Sequence, residues 1–147
     1  LGLPLTIAGT GQDETRLRAL AGPTVRMLGF VPDEELPALY GRTRALLLPQ
    51  IEDAGVVPLE AQACGTPVIA LKRGGVLDTV HEGRTGIFFE EQTILSLRDA
   101  IDRFEHSSFD TLTIREHARQ FSSAHFRECI KAAVSECIRM TRRNGHA

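Results

Sequence analysis

Two short apolar runs, Ala45-Leu46-Leu47-Leu48 and Val68-Ile69-Ala70-Leu71, bracket a segment of helical spacing that closes on Gly65-Thr66-Pro67. A run apolar at every position reads as a strand buried on both faces, the habit of parallel sheets, and parallel neighbours need a helical crossover between them. The alternation recurs. Leu5 to Ala8 and Val25 to Leu28 flank a helix carrying Leu17 and Leu20, and a short helix over Leu77 to His81 precedes a strand over Ile87 to Phe89. Five strands so placed predict an α/β fold, a parallel sheet flanked by helices.

Local signals set the remaining boundaries. Asp33 reads as an N-cap with Glu34 and Glu35 in the first turn and Leu36, Leu39 and Tyr40 on one face. A helix over Val56 to Cys64 is stopped by Gly65, with Pro58 tolerated only in its first turn. Beyond Phe89 the chain reads as helical: Ile94 to Phe104, Ile114 to Phe121, and a last helix capped by Ser122 or Ser123 and running through Met140. Arg139, Arg142 and Arg143 near its end read as cations complementing a helix C-terminus rather than as a membrane-surface patch.

Composition narrows the function classes. With 17 Lys and Arg against 19 Asp and Glu, one Tyr and no Trp, there is neither a basic footprint nor an aromatic platform for nucleic acid. No apolar run approaches the roughly 20 residues that span a bilayer, and the first residues lack the charged flank of a secretory signal, so a soluble, cytoplasmic domain is expected. Cys64, Cys129 and Cys137 form no metal-binding spacing and read as small buried hydrophobes.

The chemistry falls at the carboxyl edge of the third strand, where open α/β sheets bind ligands. If a helix begins near Gly55, the amides of Val56 and Val57 lack intrahelical partners and point out of that edge, a ready anion site. Glu60 lies one turn on from Val56, placed to accept hydrogen bonds from vicinal hydroxyls, and Glu52 overhangs the same crevice from the loop. Backbone donors between two carboxylates suit a sugar diphosphate with hydroxyl-rich ends, a nucleotide sugar. On spacing alone both acids read more readily as a solvated first-turn acid and an ordinary loop acid, and it is their place at a strand end that favours the functional reading.

Other motifs carry less. Gly9-Thr10-Gly11 could open a dinucleotide fingerprint, but Glu14 stands where its third glycine belongs, which disfavours a nicotinamide-dependent reductase. Gly11 then serves a tight turn that leaves room above the sheet. The Gly29-Phe30-Val31-Pro32 turn could read a base edge, with core packing of Phe30 an equal alternative. There is no Asp-x-Asp metal pair, and His81 is a weak candidate for a ligand contact.

These residues carry a family resemblance. EDAGVVPLEAQACGTPVIA resembles the Glu-x7-Glu signature of group 1, GT-B-fold retaining glycosyltransferases. LTIAGTG, VRMLGFVPDEELPALY and GGVLDTVHEGRTGIFF resemble successive blocks of the same family's carboxyl-terminal domain, in order, so the similarity covers nearly the whole chain. It implies that residues 1–147 form a single donor-binding domain, the Rossmann-like carboxyl-terminal half of a GT-B fold, lacking its first βα unit. That missing strand would be central, and its loss is expected to leave unpaired backbone on two neighbours.

The resemblance also implies roles. Glu52 is the catalytic glutamate against the donor's hexose, Glu60 holds the ribose, Gly55, Val56 and Val57 face sugar and phosphate, and Phe30 and Val31 lie beside the base. Transfer proceeds with retention, without metal or other cofactor, from a UDP- or GDP-sugar, with mannose or glucose as the expected hexose. The acceptor, a saccharide or linked lipid, belongs to an amino-terminal domain, through which alone a membrane would be touched, at its cytoplasmic face. Ala54 replaces a frequent aromatic residue and Asp78 a frequent glutamate, the latter worth about 1 kcal/mol. Lys72 and Arg73 are candidate substitutes for the Arg and Lys of the missing unit. The alternative is a non-catalytic Rossmann-like binding or interaction domain.

Overall fold

The computed structural model describes the backbone of residues 1–144 and the side chains of residues 1–141. Every paired strand is parallel, as the apolar runs predict. The strands form two sheets rather than one: β1 (Leu5–Ala8) pairs with β2 (Val25–Gly29), and β3 (Leu46–Leu48), β4 (Val68–Leu71) and β5 (Gly86–Phe89) pair in that order. The expectation of a single sheet is corrected accordingly. Among the described residues β1 pairs only with β2 and β3 only with β4. The chain divides into two compact units, Leu1–Thr43 and a second beginning at Arg44.

In the first unit α1 (Glu14–Leu20) crosses from β1 to β2, and none of its residues is buried. The register runs from Leu5 beside Val25 to Ala8 beside Gly29, with an irregularity after Ile7. Helix α2 (Leu36–Gly41) is shorter than its sequence suggests, and Asp33 is not its cap. Pro37 explains the difference. Proline is tolerated only in a helix's first turn, so α2 starts at Leu36 with Glu35 as N-cap, and residues 32–35 form turns instead.

In the second unit β4 is central and buried at every position. Its alternate residues serve opposite faces. Val68 and Ala70 pack with Leu48, Val76, Val80 and Phe88 on one side; Ile69 and Leu71 pack with Ile87, Phe89, Ala100 and Phe104 on the other. Helix α3 (Val56–Ala63) and the short α4 (Val76–Thr79) cover the first face, and α5 (Ile94–Glu105) the second. β3 begins one residue later than expected and buries only Leu48 fully; among the described residues no strand pairs with its outer edge.

Helix α3 ends one residue before Cys64, on the glycine that the sequence marks, whereas α4 and α6 both begin and end earlier than expected, at Val76–Thr79 and Thr111–Arg119. Gly65 adopts φ 84°, its amide reaches Gln62 O at 2.8 Å and the Thr66 amide reaches Ala61 O at 3.0 Å, a Schellman ending for α3. A Cβ at Gly65 would strike Thr111 at the start of α6 (Thr111–Arg119), so the same glycine admits that helix. Thr93 and Asp110 cap α5 and α6 through the amides of Ser96 and Thr113. Ser122 Oγ accepts from His125 N at the start of α7 (Ser123–Asn144).

Helix α7 overturns one reading. Cys129 and Cys137 are exposed rather than buried, because the helix's apolar stripe, including Phe126, Ile130, Val134 and Ile138, is itself exposed. Only Cys64 is partly buried, and burial pushes its thiol pKa up, Arg115 opposing and Glu60 assisting. Arg139 pairs with Glu136 at 2.7 Å, while the side chains of Arg142 and Arg143 lie outside the described residues. No helix among the described residues is long and apolar enough to cross a membrane.

Candidate functional site

Residues 49–55 leave the carboxyl end of β3 and turn into α3, and a second turn at Gly74-Gly75 holds them there. The Gly75 amide donates to Glu52 O at 2.7 Å, and Glu52 and Gly74 form an isolated parallel bridge. A Cβ on Gly74 would collide with Glu52 O, and one on Gly75 would lie 2.5 Å from Asp53 O. The two loops therefore approach at backbone distance, and only glycine permits it. Glu52 is half-buried, its Oε1 accepting from Gln50 Nε2 at 3.1 Å.

Gly55 is the N-cap of α3 and adopts the left-handed conformation, φ 65° and ψ 35°. No side chain caps this end. Val56 and Val57 occupy the first two helical positions, whose amides have no carbonyl to bond, and Pro58 at the third has no amide at all. The helix start thus offers two amides together with the positive end of the helix dipole. Glu60 is exposed one turn on from Val56, which is also exposed, so both occupy the outward face. Glu52, Gly55, Val56, Val57 and Glu60 are therefore brought to one edge of the second unit.

Gly11, Phe30 and Val31 are gathered separately. The Gly9 amide donates to Gly29 O at 2.7 Å and draws together the carboxyl ends of β1 and β2, with Gly11 and Phe30-Val31 in the loops that follow. Phe30 is 76% exposed, which overturns core packing as its use. Gly11 has open space where a Cβ would stand, so packing within the protein does not demand glycine there.

Lys72 Nζ lies 2.7 Å from Glu90 in an exposed pair, and its hydrogen bond to that carboxylate raises its pKa. Arg73 has no ion pair among the described residues. His81 lies beyond α4, not on it, and its ring packs against that of His117 at a tilt of 53°, with centroids 4.4 Å apart.

A buried polar cluster under the loop is absent from the sequence reading. Gln62 Nε2 donates to Thr79 O at 2.9 Å, His117 Nε2 lies 3.1 Å from the same oxygen, and Thr79 Oγ1 donates to Gly75 O at 3.1 Å. Burial lowers the pKa of His117 more than the bond to Thr79 raises it, and His81 and Arg84 push it further down. The available signal was polar residues at inward positions: Gln62 follows Ala61 on α3, and Thr79 sits between Asp78 and Val80.

Parallel strands flanked by helices, with a helix start at a strand's carboxyl edge, place the chain in the Rossmann-like α/β class. Residues 2–125 match the family described as Glycosyl transferases group 1, and the chain belongs to that family. It is 32% identical over 102 residues to a D-inositol 3-phosphate glycosyltransferase of Corynebacterium urealyticum, covering 69% of this chain and 24% of that protein. It is 28% identical over 152 residues to a GDP-mannose-dependent alpha-(1-6)-phosphatidylinositol monomannoside mannosyltransferase of Mycobacterium tuberculosis, covering 94% of this chain and 40% of that protein.

The chain therefore spans between about a quarter and two fifths of the length of these relatives. Among solved structures it resembles the lipopolysaccharide outer core galactosyltransferase WaaB, with TM-score 0.78 and 20% identity over 90% of this chain and 41% of that one. Anabaena HepE in complex with UDP-glucose matches with TM-score 0.69 and 23% identity, over 90% and 41% of the two chains. The fold is that of part of a GT-B glycosyltransferase.

Proposed function

We propose that this chain is the donor-binding part of a nucleotide-sugar-dependent glycosyltransferase, which transfers a hexose with retention and without a metal ion. The observation that carries the reading is the start of α3: two amides behind a left-handed glycine, with Glu60 one turn along and Glu52 fixed in the preceding loop. The amides and dipole meet the diphosphate, and Glu60 accepts hydrogen bonds from the ribose hydroxyls. Glu52 faces the hexose. The bond between the sugar's anomeric carbon and the diphosphate oxygen breaks as the acceptor oxygen bonds to that carbon on the same face. The acceptor's proton passes to the departing diphosphate.

A UDP- or GDP-sugar carrying glucose or mannose is the proposed donor. The relatives' names support this: one is GDP-mannose-dependent, and a structural neighbour was solved with UDP-glucose. The proposed acceptor is a saccharide or a linked lipid, at the cytoplasmic face of the membrane in the second case. Thermal unfolding with UDP, GDP, ADP and NAD tests the reading. A nucleoside diphosphate at about 100 times its dissociation constant adds roughly 2.7 kcal/mol and raises the midpoint, whereas NAD leaves it in place. Stabilisation by none of the diphosphates would sink the proposal.

A further inference from the structure

Three helices of the second unit meet at one residue beneath the proposed diphosphate site. Thr79 ends α4 and is 3% exposed. Its hydroxyl back-bonds to Gly75 O at 3.1 Å, an ordinary habit of threonine in a helix. The less ordinary contact is with Gly55. A Cβ on Gly55 would lie 2.8 Å from Thr79 Oγ1, so this side chain lies against the residue that sets the direction of α3. The Thr79 carbonyl accepts from Gln62 on α3 and is met by His117 on α6, whose Nε2 must carry its proton to bond there.

These bonds close a ring. Glu52 O is bonded to the Gly75 amide, Gly75 O to the Thr79 hydroxyl, and Thr79 O to Gln62, which lies on the helix that begins after Gly55. Gln62 is fully buried, yet its Oε1 has no hydrogen-bond partner. As a filler of space a half-satisfied amide is a poor choice, since an apolar side chain of equal length packs without an orphaned acceptor. What the amide adds is its hold on Thr79.

We propose that Thr79 and Gln62 are positioning residues for the diphosphate, an inference that rests on the donor site proposed above. Thr79 buttresses the left-handed Gly55 and thereby aims the amides of Val56 and Val57, and Gln62 locks Thr79 to the same helix. Neither touches the donor.

Titration calorimetry with UDP and GDP, paired with thermal unfolding, tests this on the wild type and on Gln62→Met, Thr79→Val and Thr79→Ser. Gln62→Met is expected to unfold at the wild-type temperature or above, because it removes the orphan, and still to bind about tenfold more weakly. Thr79→Val is expected to lose affinity similarly and Thr79→Ser to recover it. A merely structural role predicts the reverse coupling, with affinity following the unfolding temperature. Binding by Gln62→Met and Thr79→Val within about twofold of a binding wild type overturns the inference and leaves the donor site standing. Affinity that follows the unfolding temperature, or a Thr79→Ser variant that fails to recover, also overturns it. A wild type that binds neither nucleotide removes the donor reading itself, and this inference with it.

Discussion

The backbone amide of Gly75 is bonded to the carbonyl of Glu52 at 2.7 Å, which ties the loop after β3 to the turn after β4. This bond and the bridge to Gly74 fix the Glu52 backbone, and the Gln50 amide donates to its carboxylate at 3.1 Å. In the full-length protein Glu52→Gln is therefore expected to bind nucleoside diphosphate within about twofold of wild type while kcat for transfer falls by about 10²-fold or more. Calorimetry and steady-state transfer assays measure the two quantities separately. Equal losses in both would place Glu52 in nucleotide binding instead.

Gly55 is held left-handed against Thr79 and Gly75, whereas Gly11 has an ordinary φ and open space around it. Gly55→Ala is expected to cost about 1–3 kcal/mol in backbone strain, with the clash in addition, and Gly11→Ala to stay within about 0.5 kcal/mol of wild type. Urea unfolding of the two variants side by side checks the contrast.

Pro58 and Gly65 announce the ends of α3 because the limits of proline and the left-handed cap are local, and the helix runs as expected from Val56 almost to Gly65. β4 matches residue for residue, since a central strand buried on both faces leaves a continuous apolar run. The cluster of Gln62, Thr79 and His117 was not legible, because it joins residues up to 55 positions apart whose polarity looks like surface until the packing is known. The exposure of Cys129 and Cys137 was likewise a matter of what covers α7, which periodicity along one helix does not reveal.

Phe89 is 2% exposed in the cluster beneath α5. Phe89→Ala is expected to destabilise the chain by about 3–5 kcal/mol, a large share of a typical domain's stability. A much smaller change in denaturant unfolding would mean that this face of β5 is loosely packed.

His117 makes stability depend on pH with a definite sign. Its folded pKa lies below the ordinary imidazole value, so below about pH 6.5 the unfolded chain binds the proton more readily. The contribution is fully present above that pH and is lost as pH falls toward the folded value. Relative to His117→Gln, wild type should lose stability between about pH 7.5 and 5. Parallel profiles for the two proteins would contradict the assignment.

Calorimetric titration of wild type and Glu60→Ala with UDP and GDP asks whether the start of α3 and Glu60 bind the diphosphate and ribose of a sugar nucleotide. Hydrogen bonds to a charged group are worth about 1.5–3 kcal/mol, so saturable binding of one nucleotide and a loss of tenfold or more in Glu60→Ala are expected. The 2′,3′-dideoxy form of that nucleotide should bind both proteins equally weakly. Equal affinity of wild type and Glu60→Ala for the ribonucleotide, or no binding of either nucleotide to wild type, would contradict this assignment.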